Sequence, residues 1–472
     1  MMINTKFLMT IDGEAADASA HFPVLNPATE ASVADVPDCS RDQLDTAVAA
    51  ARAAYPAWRA TPYAERQAAL RSIGAILAAN VDELKQLLTA EQGKPHAAAL
   101  GELQAAAWWI GVVAEQELPE AVNDDMPGQR SVTRHVPLGV VGAIVPWNFP
   151  VLLAIWKIGP ALLAGNTMVL KPSPFTPLAT LRLGELLRDA LPAGVLNVVS
   201  GGDALGPWMS EHPDIDKISF TGSTATGRKV MATAAANLKR LTLELGGNDA
   251  AIVLPDANVA EIAEPLFWAA FTNSGQVCVA AKRLYVHDAV YDDLAAALVE
   301  IAAKVAVGDG ADPATMLGPV QNRAQFDRVE SMIADSRAAG HRFLTGGAAS
   351  TGPGYFVPVT LVDNPPEDAR VVQEEAFGPV VPMLRYTDVE DAIARANASE
   401  YGLGGSIWSS DPAAAADVAA RLETGTVWIN SAQGLTPFAA FAGHKQSGIG
   451  TENGLEGLLE FTVPQTIHHP RA

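Results

Sequence analysis

The chain has 472 residues, 49% of them apolar and 18% charged, enough for two or three domains with substantial cores. Its 32 basic and 53 acidic residues leave a net charge of −21, which argues against nucleic acid or an anionic membrane as a partner. Only two cysteines are present, Cys39 and Cys278, so no disulfide framework is expected; with no signal peptide at 1–10 and no apolar run of membrane-spanning length, the expected location is the cytoplasm.

Residues 22–38, turning through Asn26-Pro27-Ala28, read as a strand pair. Residues 40–80 read as helical, with Ser40 as N-cap and breaks at Pro56 and Pro62. Helices follow over 81–93 and 97–113, then a turn at 124–128 and an extended polar ribbon at 131–136. From Val140 strand and helix alternate. Strands fall at 140–145, 168–170, 195–199, 217–220 and 241–245; helices open at Asn148 and Pro150, at 178, after Gly202 and after Gly222. This pattern predicts a doubly wound parallel sheet, Rossmann-like, with nucleotide-binding potential at the strand C-termini. After Gly247 the alternation restarts, with strands near Ala251, Leu284, Phe343, Thr360, Val380, Gly405 and Val427. A second α/β domain and a cleft between the two are therefore expected, and 458–467 returns to extended character.

Three polar residues sit where carbonyl chemistry needs them. Cys278 follows the small polar turn Asn273-Ser274-Gly275-Gln276, Glu244 heads Glu-Leu-Gly-Gly, and Asn148 lies in Pro146-Trp147-Asn148-Phe149-Pro150. A nucleophile, a base and an oxyanion donor are the minimum set for acyl-type chemistry. Each residue also has a plainer reading. A lone cysteine is usually an inert core thiol, a strand-end glutamate a solvated carboxylate, and an asparagine before a helix an N-cap. Glycines at strand-to-helix turns, in Gly202-Asp203-Ala204-Leu205-Gly206 and Phe220-Thr221-Gly222-Ser223, allow close approach of a pyrophosphate to helix N–H groups. No His-x-x-x-His or Cys-x-x-Cys pattern appears, so no metal site is expected.

At these motifs, and over nearly its whole length, the chain resembles the aldehyde dehydrogenase superfamily. The resemblance implies two doubly wound parallel-sheet domains plus a small β oligomerisation arm. It divides the chain into a cofactor-binding domain (1–114 and 138–246), a catalytic domain (247–454) and the arm (115–137 and 455–472). It implies Cys278 as nucleophile, Glu244 as general base, Asn148 with the Cys278 N–H as oxyanion donors, and Glu452 as a proton-relay carboxylate. The aldehyde would be oxidised through a thiohemiacetal and a thioester, and Glu244 favours release of the free acid over acyl transfer to coenzyme A. The implied cofactor contacts are Val145, Pro146 and Trp147; Lys171 and Ser173 at the adenosine ribose; Gly202 and Gly206; Phe220, Gly222 and Ser223 at a phosphate; Leu245; and Glu375 and Phe377 at the nicotinamide ribose and ring.

Two departures stand out. Pro174 occupies the position where many NAD-preferring members carry a ribose-binding glutamate, which leaves NAD and NADP both open, with NAD favoured because no extra basic residue accompanies Lys171. Ala440 stands where the family usually has proline before Phe441, while Pro437-Phe438 sits three residues earlier. The expected substrate pocket is Phe149, Leu153, Trp156, Val277, Val279, Leu435, Phe438 and Phe441, apolar and aromatic, and no arginine lies between Asn430 and Lys445. A hydrophobic or aromatic aldehyde is expected, acted on by a homodimer or homotetramer. The competing readings are an acyl-transferring or esterase-like thiol enzyme and a non-catalytic structural or binding relative.

Overall fold

The structure, a computed structural model, describes residues 6–123, 128–348 and 351–470. Most of the turn expected at 124–128 and the first half of the 1–10 stretch lie outside the described residues.

Two sheets organise the molecule. The first has eight strands. Its parallel centre runs, in spatial order, Leu196–Val198, Thr167–Lys171, Val140–Ile144, Lys217–Thr221 and Arg240–Glu244. The chain winds outward from Val140–Ile144 in one direction and then in the other, so the switch point lies between that strand and Lys217–Thr221. Both faces are covered, which is why Val140–Ile144 and Thr167–Lys171 are buried along their whole length. Antiparallel strands close both edges. Met9–Ile11 pairs beside Leu196–Val198, and Gly448–Ile449 pairs with Leu243 and Glu244. The second sheet has seven strands in the order Arg342–Thr345, Thr360–Asp363, Val380–Tyr386, Ala281–His287, Asp249–Val253, Gly404–Trp408 and Thr426–Ile429. All are parallel except the first. A separate three-stranded ribbon joins Ala121–Asn123, Gln129–Pro137 and Thr462–Pro470, the last two pairing over nine residues. No described helix is long and apolar enough to cross a membrane.

Four expectations need correction. Pro56 does not break its helix: Arg41–Ala60 runs through it, started by a capping box of Ser40 and Gln43. One proline removes one N–H, and the buried stripe Leu44, Ala47, Val48, Ala51 and Trp58 holds the helix on both sides of it. Pro62 does end that helix, and Tyr63–Ala79 is a new one. The helix expected to open at Asn148 and Pro150 begins at Pro150 after the N-cap Phe149, so Asn148 stands outside it. The stretch expected to be extended from 458 begins instead inside the helix Gly454–Leu459, and the strand starts only at Thr462. Finally, the span assigned to the catalytic domain returns to the first sheet at Gly448–Ile449, because that short strand covers the open edge of Arg240–Glu244.

Candidate active site

The functional turns gather where the C-terminal ends of the first sheet face the second. Residues 145–149 leave Val140–Ile144, Gly222 and Ser223 leave Lys217–Thr221, and residues 245–248 leave Arg240–Glu244. The cysteine loop enters from the other side, just before the strand Ala281–His287.

Two cavities meet at Cys278. One, of about 410 Å³, is lined on one side by Pro146, Trp147 and residues 221–225, and on the other by Glu375, Phe377 and Tyr401. The second, of about 320 Å³, is walled by Trp109, Phe149, Leu153, Trp156, Val277, Val279, Leu435 and Phe441, with Glu244 and Glu452 also facing it. Asn148, Leu153, Thr221, Leu245 and Cys278 line both.

The cysteine loop is wound tightly. Asn273, Ser274 and Gly275 have φ of 53°, 58° and 73°, three successive left-handed residues. Position 275 requires glycine, since a Cβ there would lie 2.3 Å from the Gly378 carbonyl oxygen. Ser274 Oγ donates to the Gly318 carbonyl at 2.7 Å, and the Gln276 side chain accepts from the Gln321 N–H at 2.8 Å. Lys282 Nζ donates to the carbonyls of Val277 (2.8 Å) and Cys278 (2.5 Å) and pairs with Glu375 at 3.2 Å.

Burial dominates the electrostatics. It pushes the Cys278 thiol up to about 12; Lys282 pulls the other way, while Asp249, Glu244 and Glu375 add to the rise. Burial also raises the Glu244 carboxyl well above the usual carboxylate range, with Glu452 adding to the rise and Lys157 opposing it. Neither Glu244 oxygen has a hydrogen-bond partner among the described residues. Glu452 is paired through Oε1 with Lys157, and its other oxygen has no partner among the described residues. Asn148 donates from Nδ2 to the Gln276 carbonyl at 3.0 Å, which leaves its second N–H for a substrate oxygen.

The larger cavity has the features a dinucleotide requires. It opens at the switch point, beside the N-terminus of the helix Thr224–Ala234, which Ser223 caps by accepting from Thr226 N–H. A Cβ at Gly222 would strike the Phe220 ring at 2.5 Å, so Phe220 is the floor under that turn rather than a lining residue. A Cβ at Gly246 would lie 2.4 Å from Glu375 Oε2. Glu375 also accepts from Gly247 N–H at 3.1 Å, and Phe377 meets Trp147 edge to face at 5.3 Å.

Of the residues expected at the cofactor, Pro146, Trp147, Gly222, Ser223, Leu245, Glu375 and Phe377 line this cavity. Val145, Lys171, Ser173, Gly202, Gly206 and Phe220 do not. Lys171 is buried, its ammonium drawn down to about 8 by desolvation against the opposing charges of Asp203 and Asp38. Of the expected pocket residues, Phe438 lies outside the lining: it is 70% exposed and stands edge-on to Trp108. The displaced Pro437-Phe438 pair explains this, since the residue that reaches the cavity is Phe441, held by paired backbone bonds with Glu452.

Sequence reasoning missed Trp109, Gln325, Arg328 and Tyr401. Trp109 stacks on Trp156 at 4.9 Å inside the second cavity. Gln325 Nε2 donates to the Ala376 and Phe377 carbonyls at 2.8 and 3.1 Å, and Arg328 to the Glu375 carbonyl at 3.2 Å. Trp109, Gln325 and Arg328 sit on helices whose sequence gives no sign of facing a ligand, and Tyr401 opens the two-residue strand Tyr401–Gly402; Trp109, beside Trp108 in an alanine-rich helix, was the one readable hint.

The profile of the aldehyde dehydrogenase family matches residues 14–467. The chain is 44% identical to a probable aldehyde dehydrogenase of a Pseudomonas species, over 99% of this chain and 95% of that one. It is 41% identical to the succinate-semialdehyde dehydrogenase [NADP(+)] of Escherichia coli, over 98% of this chain and 95% of the relative. Among solved structures, the NAD+ complex of an aldehyde dehydrogenase from Bacillus cereus superposes with a TM-score of 0.97 at 36% identity, covering 99% of this chain and 97% of the other.

Proposed function

The chain belongs to the aldehyde dehydrogenase family and oxidises an aldehyde to the carboxylic acid with NAD or NADP, and from that premise we propose that Cys278, Glu244 and Asn148 carry the chemistry on a hydrophobic or aromatic aldehyde. The observation that carries this reading is the position of Cys278 on the wall common to a glycine-lined cavity and an aromatic one.

In this mechanism the Cys278 thiol loses its proton to water, with Glu244 helping to draw it off, and Sγ attacks the aldehyde carbon to give the thiohemiacetal oxyanion. The Asn148 amide and the Cys278 N–H hold the developing oxyanion. A bound nicotinamide would supply the acceptor for the hydride that leaves this carbon, so that Cys278 is left carrying a thioester. Glu244 then takes the proton of the attacking water and the acid departs. Glu452, with Lys157 beside it, relays that proton. Glu375 would hold the nicotinamide ribose, Trp147 and Phe377 would flank the ring, and the Gly222–Ser223 turn would receive the pyrophosphate. Lys171 and Ser173, with Gly202 and Gly206 nearby, would serve the adenosine end.

NAD is the proposed preference. Pro174 supplies no ribose ligand, yet Asp38 and Asp203 put negative charge around Lys171, which opposes a 2′-phosphate. The substrate class follows from the second cavity, whose wall carries four aromatic rings and no lysine or arginine. An acidic semialdehyde has no counterion there. The ribbon Gln129–Pro137 with Thr462–Pro470 is proposed as the oligomerisation arm of a homodimer or homotetramer. The free thiols Cys39 and Cys278 favour a cytoplasmic location.

The test is an aldehyde panel followed at the reduced-nicotinamide band with NAD and NADP in parallel, for the native protein and Cys278→Ala. Phenylacetaldehyde, benzaldehyde and hexanal should turn over better than succinic semialdehyde, with NAD above NADP, and all reduction should vanish in the variant. Succinic semialdehyde well above the others would overturn the substrate class. Reduction that survives in Cys278→Ala would overturn the nucleophile.

A further inference from the structure

We infer that the buried Lys94–Glu102 ion pair is the positioning device of the oxyanion site, an inference that rests on Asn148 as the oxyanion donor. Lys94 lies between two helices. Gly93, at φ 92°, ends Val81–Gln92, and Pro95 precedes His96–Val113. The backbone there cannot drift. A Cβ on Gly318 would lie 2.1 Å from the Gly93 carbonyl oxygen, and one on Gly310 2.4 Å from that of Lys94.

From this fixed point Lys94 Nζ donates to Glu102 at 2.6 Å and to the Asn148 carbonyl at 2.8 Å, and it stands 4.1 Å from the centre of the Phe149 ring. Glu102 completes the brace with its other oxygen, which accepts from the Val151 and Leu152 N–H groups at 2.9 and 3.2 Å. Those are the first free donors of the helix Pro150–Ala164. Its N-cap, Phe149, has no capping side chain, and Pro150 has no N–H to offer. One ion pair thus holds the turn of Asn148 by its carbonyl and the following helix by its N-terminus.

The same hub reaches the nucleophile. The segment packed on Gly93 accepts from Ser274 at Gly318 and from Gln276 Nε2 at the Pro319 carbonyl, 3.3 Å. Asn273 Nδ2 donates to the Asn148 carbonyl at 3.3 Å. Donor turn and cysteine loop are therefore referenced to one another through Lys94.

Neither charged side chain lines either cavity, and their exposures are 1% and 0%. Lys94 and Glu102 are positioning residues that act through Asn148. A buried ion pair repays its desolvation poorly where packing is all that is needed, whereas an oxyanion donor displaced by about 1 Å loses on the order of 100-fold in rate.

The test is a double-variant cycle read by single-turnover formation of reduced cofactor at saturating aldehyde and cofactor. Lys94→Met should slow this step about 10- to 100-fold, with the dissociation constant of NAD, by fluorescence titration, within about twofold of native. In an Asn148→Ala background, Lys94→Met should slow it by no more than about twofold further. If Lys94→Met does not fold, Lys94→Met with Glu102→Gln leaves no unpaired charge, keeps an oxygen for the Val151 and Leu152 N–H groups, and enters the same cycle. A native rate in Lys94→Met, or the same loss in both backgrounds, overturns the inference while Asn148 stands. A native rate in Asn148→Ala overturns the oxyanion reading and this inference with it.

Discussion

Glu244 has to be a carboxylate to activate water, yet burial and the neighbouring Glu452 hold its proton well above the ordinary value near 4.5. Deacylation should therefore accelerate as pH rises through that raised value, so the rate profile should climb above the normal carboxylate range. The same shift works against folding. Between pH 4.5 and the raised value the folded chain keeps a proton that the unfolded chain releases, so this group's contribution to stability falls as pH rises. Glu244→Gln removes both effects. It should keep the pre-steady-state burst of reduced cofactor, lose about 10²- to 10⁴-fold in steady-state turnover, and flatten the corresponding part of the stability profile in urea. A variant that loses the burst and the turnover equally would move Glu244 from deacylation to acylation. That Cys278, Glu244 and Asn148 would share one cavity was readable from sequence because each sits in a turn or at a strand end whose neighbours are unusual together. The distinction between Asn148 as donor and as helix cap was not, because it depends on which residue the helix Pro150–Ala164 begins at.

At the scale of the turn and the loop, glycine and the cap residue do the positioning. Ser223 accepts from Thr226 N–H at 3.2 Å at the start of Thr224–Ala234. Ser223→Ala should cost about 1 kcal/mol of stability in thermal or urea unfolding and raise KM for the cofactor more than KM for the aldehyde; equal changes in the two would argue against a phosphate at this turn. Gly275→Ala is harsher. It places a methyl group against the Gly378 carbonyl at a backbone angle that L-residues avoid, so the Cys278 loop must reopen. Cofactor reduction should be lost even where the variant folds, as judged by circular dichroism. The alternation of strand and helix was legible because fully buried parallel strands read as short apolar runs between glycine turns, as at Val140–Ile144 and Asp249–Val253. Gln325 and Arg328 were not legible, since they act on the carbonyls of a neighbouring segment, Glu375–Phe377, and no periodicity within their own helix reports that contact.

At the scale of the molecule, the site is the meeting of two sheets, one contributing strand C-termini and Glu244, the other the approach to Ala281–His287 and Cys278. The return of Gly448–Ile449 to the first sheet ties them together and brings Glu452 to the cavity, a connection the linear division at 454 did not contain. The ribbon stands apart from both. Thr462–Pro470 is an outer strand whose residues beyond Val463 are exposed. Deleting residues 462–472 should lower the sedimentation coefficient to that of a monomer; an unchanged assembly would place the subunit contact elsewhere. The central claim is that an acyl group passes through Cys278, and the measurement closest to it is a quench. Glu244→Gln is mixed with NAD and phenylacetaldehyde, stopped in acid within the burst, and mapped by peptide mass spectrometry. The account predicts an acyl adduct on the Cys278 peptide in proportion to the reduced cofactor formed. Reduced cofactor without an adduct, or an adduct on the Cys39 peptide, would contradict it.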